Sequence, residues 1–420
     1  MSSPIAVTVP AGSYNGAAGT AISFSGVTIL DDATSEPDET IHLALQNPSS
    51  LLGLGDANSD SVTQSDFTYT IINDDGATPT VTRIPGITPE RQAIEISKQR
   101  FPTPGTAQAV AIARKNNLVD SLASGPLVNL TSASLLLTDT ATLDAATLTE
   151  LQRVIASPTA QVYIIGGTRA VSSTVEQTLK KHGFTNLARF AGVNRRQTAS
   201  LIGDEIIKKN GSPTDTVYMT EDLRFADDLA VGAVAGQHAD GKVEPILLNH
   251  RSSSALDPYV RDFLNRNPAI THIVIVGGLD ALPLGIEVEI AGSSAGRITT
   301  RYAGTDRYST NALLAQAFFP NPTGVIVALG TDQGLPGSVV IGATSYSTAS
   351  LAVGQLYSAL IANTLAADQS VPVLLTMPDK LPTPILNYLK AHAATISSAT
   401  IIGDGSAISA AVANQILGAI

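Results

Sequence analysis

The hydrophobic and polar positions of the chain follow two different periods, and the change between them occurs near residue 80. Before that point, short runs alternate apolar and polar residues and are separated by Gly, Asn, Asp and Pro. Two of the clearest runs are Thr40-Ile-His-Leu-Ala-Leu and Phe67-Thr-Tyr-Thr-Ile-Ile. A period of two that is rich in β-branched residues predicts antiparallel strands. We therefore expect residues 1–78 to form a small all-β sandwich.

After residue 83, apolar strands of four to six residues alternate with segments of helix length, and this pattern occurs three times. The phrase Arg83-Ile-Pro-Gly recurs as Arg189-Phe-Ala-Gly and as Arg301-Tyr-Ala-Gly, at spacings of 106 and 112 residues. Alternating strands and helices predict a mostly parallel sheet covered by helices, and the repetition predicts three such α/β units. We define unit 1, unit 2 and unit 3 as residues 83–188, 189–300 and 301–420.

Each unit opens with a strand that carries the repeated arginine. An unpaired strand at the edge of a sheet is a ready site for further pairing. We expect each opening strand to add to the edge of a neighbouring unit's sheet. Three such additions would close the units into a ring.

A second helix in each unit is predicted to follow a polar loop. In units 1 and 2 it is expected to open at Asp120 and Asp227, because an aspartate can accept hydrogen bonds from the free N–H groups of a helix start. Unit 3 has Ser358 at the corresponding position, after an insertion rich in Gly, Ser and Thr near residues 333–355.

The net charge of −11 is distributed unevenly over the 420 residues. Residues 1–82 hold ten carboxylates and no Lys or Arg, whereas the remaining 338 residues are nearly neutral. This balance argues against a nucleic-acid binder. It leaves a local site for an anionic partner open in the second part of the chain.

Several classes of protein are excluded by what the sequence lacks. It has no cysteine, which excludes disulfides, thiolate zinc sites and a cysteine nucleophile. No apolar run reaches about 18 residues, so a membrane span is not expected. The first residues also lack the basic and apolar segments of a signal peptide, so a secreted protein would be represented here by a mature form or an excised fragment.

The acidic residues of the first segment gather where predicted strands end. Ca²⁺ takes six to eight oxygen ligands, which neighbouring loops can supply together, although aspartate is also common in turns. The stretch from Thr28 to Leu45, together with the ending Tyr69-Thr-Ile-Ile-Asn-Asp-Asp, resembles the second half of a Calx-β domain. That resemblance implies a calcium site, and it places the ligands at the following positions: Asp31, Asp32, Glu36, Asp74 and Asp75. The family's early strands are not recognisable in this sequence.

The three units together resemble the cell wall binding repeat type 2 family. The family's motif, Arg-x-x-Gly-x-Asp-Arg-Tyr-x-Thr, is complete from Arg301 to Thr310, and most of it is kept from Arg189 to Thr198. Unit 1 has lost the second Arg and the Thr. The resemblance implies three repeats around a pseudo-threefold axis that bind an anionic wall polymer on the bacterial cell surface without a covalent bond.

The candidates for polymer binding are the motif arginines, because the planar guanidinium group can donate two hydrogen bonds to one phosphate or carboxylate. They are Arg189, Arg195, Arg301, Arg307 and, more weakly, Arg83. The alternative is that these arginines pair with motif acids such as Asp306 and hold neighbouring units together. Both interpretations remain open from the residues alone.

Signals for catalysis are weak. Gly166-Gly167 and Gly277-Gly278 follow apolar strands but do not continue into the dinucleotide-binding pattern, which favours a tight turn. Ser294 lies in a formal nucleophile-elbow match, yet the residues after it predict a strand and not the required helix. The six histidines are scattered, with no two at metal-ligand spacing.

We therefore expect a non-enzymatic, extracellular cell-surface protein, with a Calx-β-like fragment that could hold Ca²⁺ and a three-unit module that anchors the chain to an anionic wall polysaccharide. One alternative is a structural component of a surface layer, or an adhesin, that contacts other surface proteins. Another is a small-molecule-binding α/β enzyme.

Overall fold

The computed structural model describes most of the chain after residue 79 and two short segments before it. The described residues are 39–44, 66–71, 79–86, 88–115, 120–223, 229, 231–237, 242–293, 296–330, 338–341 and 344–420. Two compact units are present, Met1–Thr78 and Pro79–Ile420. Each is described by itself.

In the first compact unit, strands β1 (Glu39–Ala44) and β2 (Asp66–Ile71) pair antiparallel, with Leu43 opposite Phe67. These are two of the strands that the alternating pattern predicted, and both are confirmed. The other predicted strands and all five predicted calcium ligands lie outside the described residues. The sandwich and the calcium site therefore stay predictions.

The second compact unit contains the three repeats, which share one order of elements. In unit 1 the elements are β3 (Thr80–Ile84), α1 (Pro89–Arg100), β4 (Ala109–Arg114), α2 (Gly125–Leu130), β5 (Ala133–Thr138), α3 (Ala145–Val154), β6 (Gln161–Ile165) and α4 (Ser173–Lys181). In unit 2 they are β7 (Leu187–Phe190), α5 (Arg195–Asn210), β8 (Thr216–Glu221), α6 (Val231–Ala235), β9 (Ile246–Asn249), α7 (Pro258–Arg266), β10 (His272–Val276) and α8 (Gly285–Ala291).

Unit 3 follows the same order with one addition. Its elements are β11 (Ile298–Tyr302), α9 (Arg307–Phe318), β12 (Gly324–Leu329), β13 (Ser338–Ile341), β14 (Thr344–Ser347), α10 (Thr348–Gln369), β15 (Val373–Thr376), α11 (Thr383–Ala391), β16 (Ser398–Ile402) and α12 (Ala410–Leu417). The predicted insertion thus contains a β13–β14 hairpin and the first turns of α10.

Each repeat is built on a four-stranded parallel sheet, and one strand of every sheet comes from another unit. The strand orders are β5-β4-β6-β7, β9-β8-β10-β11 and β15-β12-β16-β3. Unit 2 therefore gives β7 to unit 1, unit 3 gives β11 to unit 2, and unit 1 gives β3 to unit 3. The prediction that opening strands join neighbouring sheets and close a ring is confirmed.

The centre of the ring is formed by the equivalent helices α2, α6 and α10, which pack against one another. Hydrogen bonds support this packing: Asn129 Nδ2 of α2 donates to Thr364 O of α10 at 2.8 Å, and Asn363 Nδ2 of α10 donates at 2.8 Å to the carbonyl of Leu229, two residues before α6. A side chain at Gly232 would bring its Cβ within 2.8 Å of Asn363 Nδ2, so only glycine lets the helices approach this closely. One continuous hydrophobic core includes residues of all three units.

The helix starts differ in part from the expectation. Helix α2 begins at Gly125 after a 3₁₀ turn, and its N-cap residue Ser124 makes no side-chain capping bond. The prediction that Asp120 caps this helix is wrong, because its carboxylate lies 3.7 Å from Arg114 Nη2 instead. Asp227 lies outside the described residues. In the part of the chain that the structure describes, no helix has both the length and the apolar character that crossing a bilayer requires.

Candidate functional site at the seams between units

The candidate residues gather at three seams, one at each place where an opening strand joins the sheet of another unit. We name them seam 1–2, where β7 joins β6, seam 2–3, where β11 joins β10, and seam 3–1, where β3 joins β16. The registers are equivalent, with Ile164 opposite Arg189, Ile275 opposite Arg301, and Ile401 opposite Arg83. The three opening arginines therefore occupy the same position at three seams.

At seam 1–2, Arg189 reaches from its own strand onto the neighbouring unit. Its Nη1 donates to Gly166 O at 2.9 Å and to Val171 O at 2.8 Å. Its Nη2 lies 2.9 Å from Glu176 Oε2 on α4, and only 18 % of the side chain is exposed. Hydrogen bonds from Lys180 and Arg189 hold the pKa of Glu176 below its usual range. Arg189 is thus a clamp between units.

The same clamp is present at seam 2–3 and is reduced at seam 3–1. Arg301 donates to Gly277 O at 2.6 Å and to Leu282 O at 2.9 Å, and it pairs with Glu287. Arg83 donates to Gly403 O and Ser409 O, but the position that corresponds to Glu176 holds Ala413. Burial lowers the pKa of Arg83, and the nearby Asp404 carboxylate acts in the opposite direction.

The turns that begin at Gly166, Gly277 and Gly403 each supply one carbonyl group that accepts from a clamp. The first glycine has a positive φ at every seam: 102° at Gly166, 119° at Gly277 and 116° at Gly403. A Cβ on Gly166 would also lie 2.7 Å from Ala170 Cβ and 3.1 Å from Asp120 Oδ2. The interpretation of these glycines as a tight turn is confirmed.

The second motif arginine has different surroundings. Arg195 and Arg307 are the first residues of α5 and α9, whose N-caps Asn194 and Asp306 accept from the N–H groups of Gln197 and Ser309. The Nη1 of Arg195 donates to Asp222 O, and that of Arg307 donates to Gly330 O at 2.6 Å. Among the described residues, no carboxylate oxygen lies within 4.0 Å of either guanidinium.

The alternative interpretation from the sequence is right that motif arginines hold neighbouring units together, at Arg189 and Arg301, but wrong in pairing them with Asp306. Its Oδ1 accepts from the N–H group of Ser309 at 2.7 Å, and the helix cap is therefore its role. The acids that do hold a motif arginine are Glu176 and Glu287, which stand at corresponding positions 13 and 14 residues before their partners. This recurrence was a signal in the sequence that could have found them.

Seam 1–2 also contains Asp120, which lies beside the Gly166 turn. Burial raises the pKa of Asp120, while the positive charges of Arg114 and Arg195 act in the opposite direction. The Arg195 guanidinium is therefore close enough to this unit 1 carboxylate to oppose the rise in its pKa, while its hydrogen bond is to the unit 2 carbonyl of Asp222.

Two ion pairs that were not identified from the sequence occupy corresponding positions in units 1 and 2, with the positive and negative residues exchanged. In unit 1, the Nζ atom of Lys115, which directly follows β4, lies 3.4 Å from the Oε1 atom of Glu90 at the start of α1. In unit 2, the corresponding residues are Asp222 and Arg196, which also form an ion pair. The exchange of signs at matching repeat positions was visible in the sequence. Each ion pair joins the start of a helix to the end of a strand within the same unit.

Two further expectations concern Ser294 as a nucleophile and the binding of a metal ion. Ser294 lies outside the described residues, and the stretch after it does form a strand, β11. Within the described ranges, no group of three or more His, Asp or Glu side chains is arranged to hold a metal ion. The predicted calcium ligands are not among those ranges.

Comparison with known proteins gives a family match and several relatives. The family model described as "Cell wall binding domain 2 (CWB2)" matches residues 83–176, 189–287 and 301–413. The chain is 28 % identical over 338 residues to the N-acetylmuramoyl-L-alanine amidase LytC of Bacillus subtilis, covering 80 % of this chain and 58 % of that protein. It is 24 % identical over 363 residues to the Amidase enhancer of Bacillus subtilis, covering 86 % of this chain and 43 % of that protein. It therefore spans about half the length of these two relatives.

Solved structures from Clostridium difficile share the fold. Cwp8 superimposes with a TM-score of 0.68 at 23 % identity, covering 93 % of this chain and 60 % of that one. Cwp6 gives a TM-score of 0.65 at 23 % identity, covering 86 % of this chain and 50 % of that one. At this level of identity the likeness concerns the arrangement of three α/β repeats.

Proposed function

Because the family model matches well over half of its residues, this chain belongs to the cell wall binding domain 2 family, and on that premise we propose that residues 83–420 attach it non-covalently to an anionic polysaccharide of the cell wall. The chain would then act at the cell surface. The amidase activity in the name of LytC belongs to that protein, and we assign no catalytic step to this one.

The proposal is carried by the hydrogen bonding of the Arg195 and Arg307 guanidinium groups. Each guanidinium has five N–H donors, and within the described residues one hydrogen bond to a backbone carbonyl uses only part of them. Each also stands at a helix N-terminus, where the helix dipole favours negative charge. Phosphate or carboxylate groups of a polymer can accept the remaining N–H groups in a bidentate manner.

The opening arginines receive a different role in this proposal. Arg83, Arg189 and Arg301 already direct their N–H groups to carbonyl or carboxylate oxygens of the adjoining unit. We propose that they position the seam, and that Arg195 and Arg307 contact the polymer. The five N-terminal acids remain our candidates for a Ca²⁺ site, independent of polymer binding.

The test is binding of the full chain to anionic polysaccharide purified from bacterial cell walls, measured by calorimetry at low salt. We expect Arg195→Gln combined with Arg307→Gln to weaken binding at least about tenfold, since each charge-assisted contact contributes about 1.5–3 kcal/mol. The matched control is Arg266→Gln, because Arg266 is a surface arginine of unit 2 that pairs with Asp204 and Asp262.

The control variant is expected to bind within about twofold of the unchanged chain, because exposed ion pairs contribute little and Arg266 is not one of the motif arginines. If the unchanged chain fails to bind the polysaccharide, or if the double variant binds as well as the control, the proposal is wrong.

A further inference from the structure

The three seams are equivalent in backbone but differ in the residue at the helix start. At seams 1–2 and 2–3 this residue is Arg195 and Arg307, and at seam 3–1 it is Pro89. Proline suits the first position of a helix, because no N–H donor is needed there. It offers nothing to an anion.

Seam 3–1 is also filled by its own side chains. Gln92 of α1 is buried, and its Nε2 donates to Gly86 O at 2.8 Å. Its Oε1 accepts from the buried Ser358 Oγ of α10 at 2.7 Å. Two neutral groups from different units thus satisfy each other here, and the first residue of this helix carries no charge.

The other two seams hold a shorter residue where Gln92 stands. Thr198 and Thr310 accept from the N–H groups of Gly192 and Gly304, at 3.1 Å and 3.0 Å. Each hydroxyl fixes the turn that leads into the helix, and the arginine at the helix start is therefore held in the same place at both seams. The two seams form a matched pair.

We infer that seams 1–2 and 2–3 are two equivalent subsites for anionic groups, that seam 3–1 is a structural closure, and that the ligand is an extended polyanion that occupies both subsites at once. The inference rests on the proposed function. The helices that carry the two arginines, α5 and α9, both pack into one continuous core, which fixes the separation of the subsites.

A polymer that reaches both subsites binds the second one as an intramolecular event, which can raise its affinity by about 10²–10⁴ over that of a short fragment. A small anion can occupy only one subsite. The second subsite then binds a second anion but does not raise the affinity of the first. The arrangement therefore selects for chain length and for repeated charge.

The experiment uses the full chain and the anionic wall polysaccharide after partial hydrolysis and separation by chain length, with affinity measured by calorimetry. We expect affinity to rise by at least about tenfold above a threshold length, and short fragments to saturate at two equivalents per chain. Arg195→Gln and Arg307→Gln are each expected to remove the rise and to leave one equivalent of short-fragment binding. Arg266→Gln should keep both the rise and the two equivalents.

The outcomes separate the two proposals. If no fraction binds the unchanged chain, the proposed function is wrong, and this inference falls with it. If the polysaccharide binds but shows three equivalents, no dependence on length, or a rise that survives in either single variant, the anchoring function stands and the bivalent arrangement is wrong. Circular dichroism of each variant shows that a lost rise does not come from unfolding.

Discussion

Arg189 and Arg195 are six residues apart in one motif, and their surroundings give them different tasks. Arg189 directs its guanidinium into the adjoining unit, where two carbonyls and a carboxylate accept from it. Arg195 is connected to the protein by a single hydrogen bond among the described contacts. We therefore expect the first residue to affect stability and, on the proposed function, the second to affect binding.

We expect Arg189→Gln to lower the free energy of unfolding by about 2–3 kcal/mol, because it removes charge-assisted hydrogen bonds from a mostly buried site. The same change at Arg195 should cost less than about 1 kcal/mol, since one hydrogen bond is lost there. Urea denaturation of both variants measures the difference. Equal losses would contradict the division of roles.

The Glu176 carboxylate predicts a pH dependence. Hydrogen bonds from Lys180 and Arg189 lower its pKa in the folded state below the ordinary value of 4.5. The interaction therefore stabilises the fold above pH 4.5 and is lost as the pH falls through the lower folded-state pKa. Melting temperatures should be higher for the unchanged chain than for Glu176→Gln at about pH 7, and the gap should close towards about pH 3. A gap that does not change with pH would contradict this assignment.

Neighbouring glycines of one turn offer a matched comparison. Gly277 has a φ of 119°, which residues with a side chain rarely adopt. Gly278 does not have a positive φ, and a Cβ there would meet no atom within 4 Å. We expect Gly277→Ala to lower the unfolding free energy by about 1–3 kcal/mol and Gly278→Ala to change it by less than about 0.5 kcal/mol. Thermal unfolding of both variants is the measurement. A larger cost at Gly278 would show that the turn is not the source of the constraint.

At the scale of elements, the strand β3 closes the ring on β16. Thr82 and Thr400 lie opposite each other in this parallel pair, with their hydroxyl oxygens 3.3 Å apart, although the two residues are 318 positions apart along the chain. The pair is the point at which closure of the ring can be tested directly.

A cysteine at both positions, Thr82→Cys with Thr400→Cys, should form a disulfide within one chain, and the chain has no other cysteine to compete. We expect oxidation to stabilise the protein by about 2–4 kcal/mol, because the link restricts a very long loop in the unfolded state. Non-reducing electrophoresis and thermal unfolding provide the readouts. Linked dimers in place of linked monomers would contradict closure within the chain.

Elements and their order were predictable, whereas the partners of single side chains were not. Apolar runs and repeated phrases identify the strands and helices of three units, because hydrophobic periodicity is a local property. The contact between Arg189 and Glu176 depends on how β7 lies beside α4, which is fixed only after the strand has joined another unit's sheet. The failed cap at Asp120 has a similar cause, since the 3₁₀ turn before α2 moves the helix start to Gly125.

At the scale of the whole molecule, stability is shared among the units. The core is continuous through α2, α6 and α10, and each of the three four-stranded sheets contains a strand from another unit. Opening one seam therefore exposes both a sheet edge and part of the common core.

We expect the three units to unfold together. Hydrogen exchange of the full chain should give similar opening free energies for the buried strands β5, β9 and β15, because each is protected by the same global event. Mass spectrometry of peptides that cover these strands provides the measurement. Opening energies that differ by more than about 3 kcal/mol between units would show that the units are independent.

The cyclic exchange of strands has a consequence for how such a molecule can be encoded. A unit that donates one strand and accepts one has no complete partner in itself, but three separate copies would satisfy one another with exact rotational symmetry. In geometric terms, three copies of a one-unit chain could therefore build the same ring as a homotrimer. Fusion into one chain frees the copies from identity, and only then can Pro89 stand at one interface while Arg195 and Arg307 remain at the others.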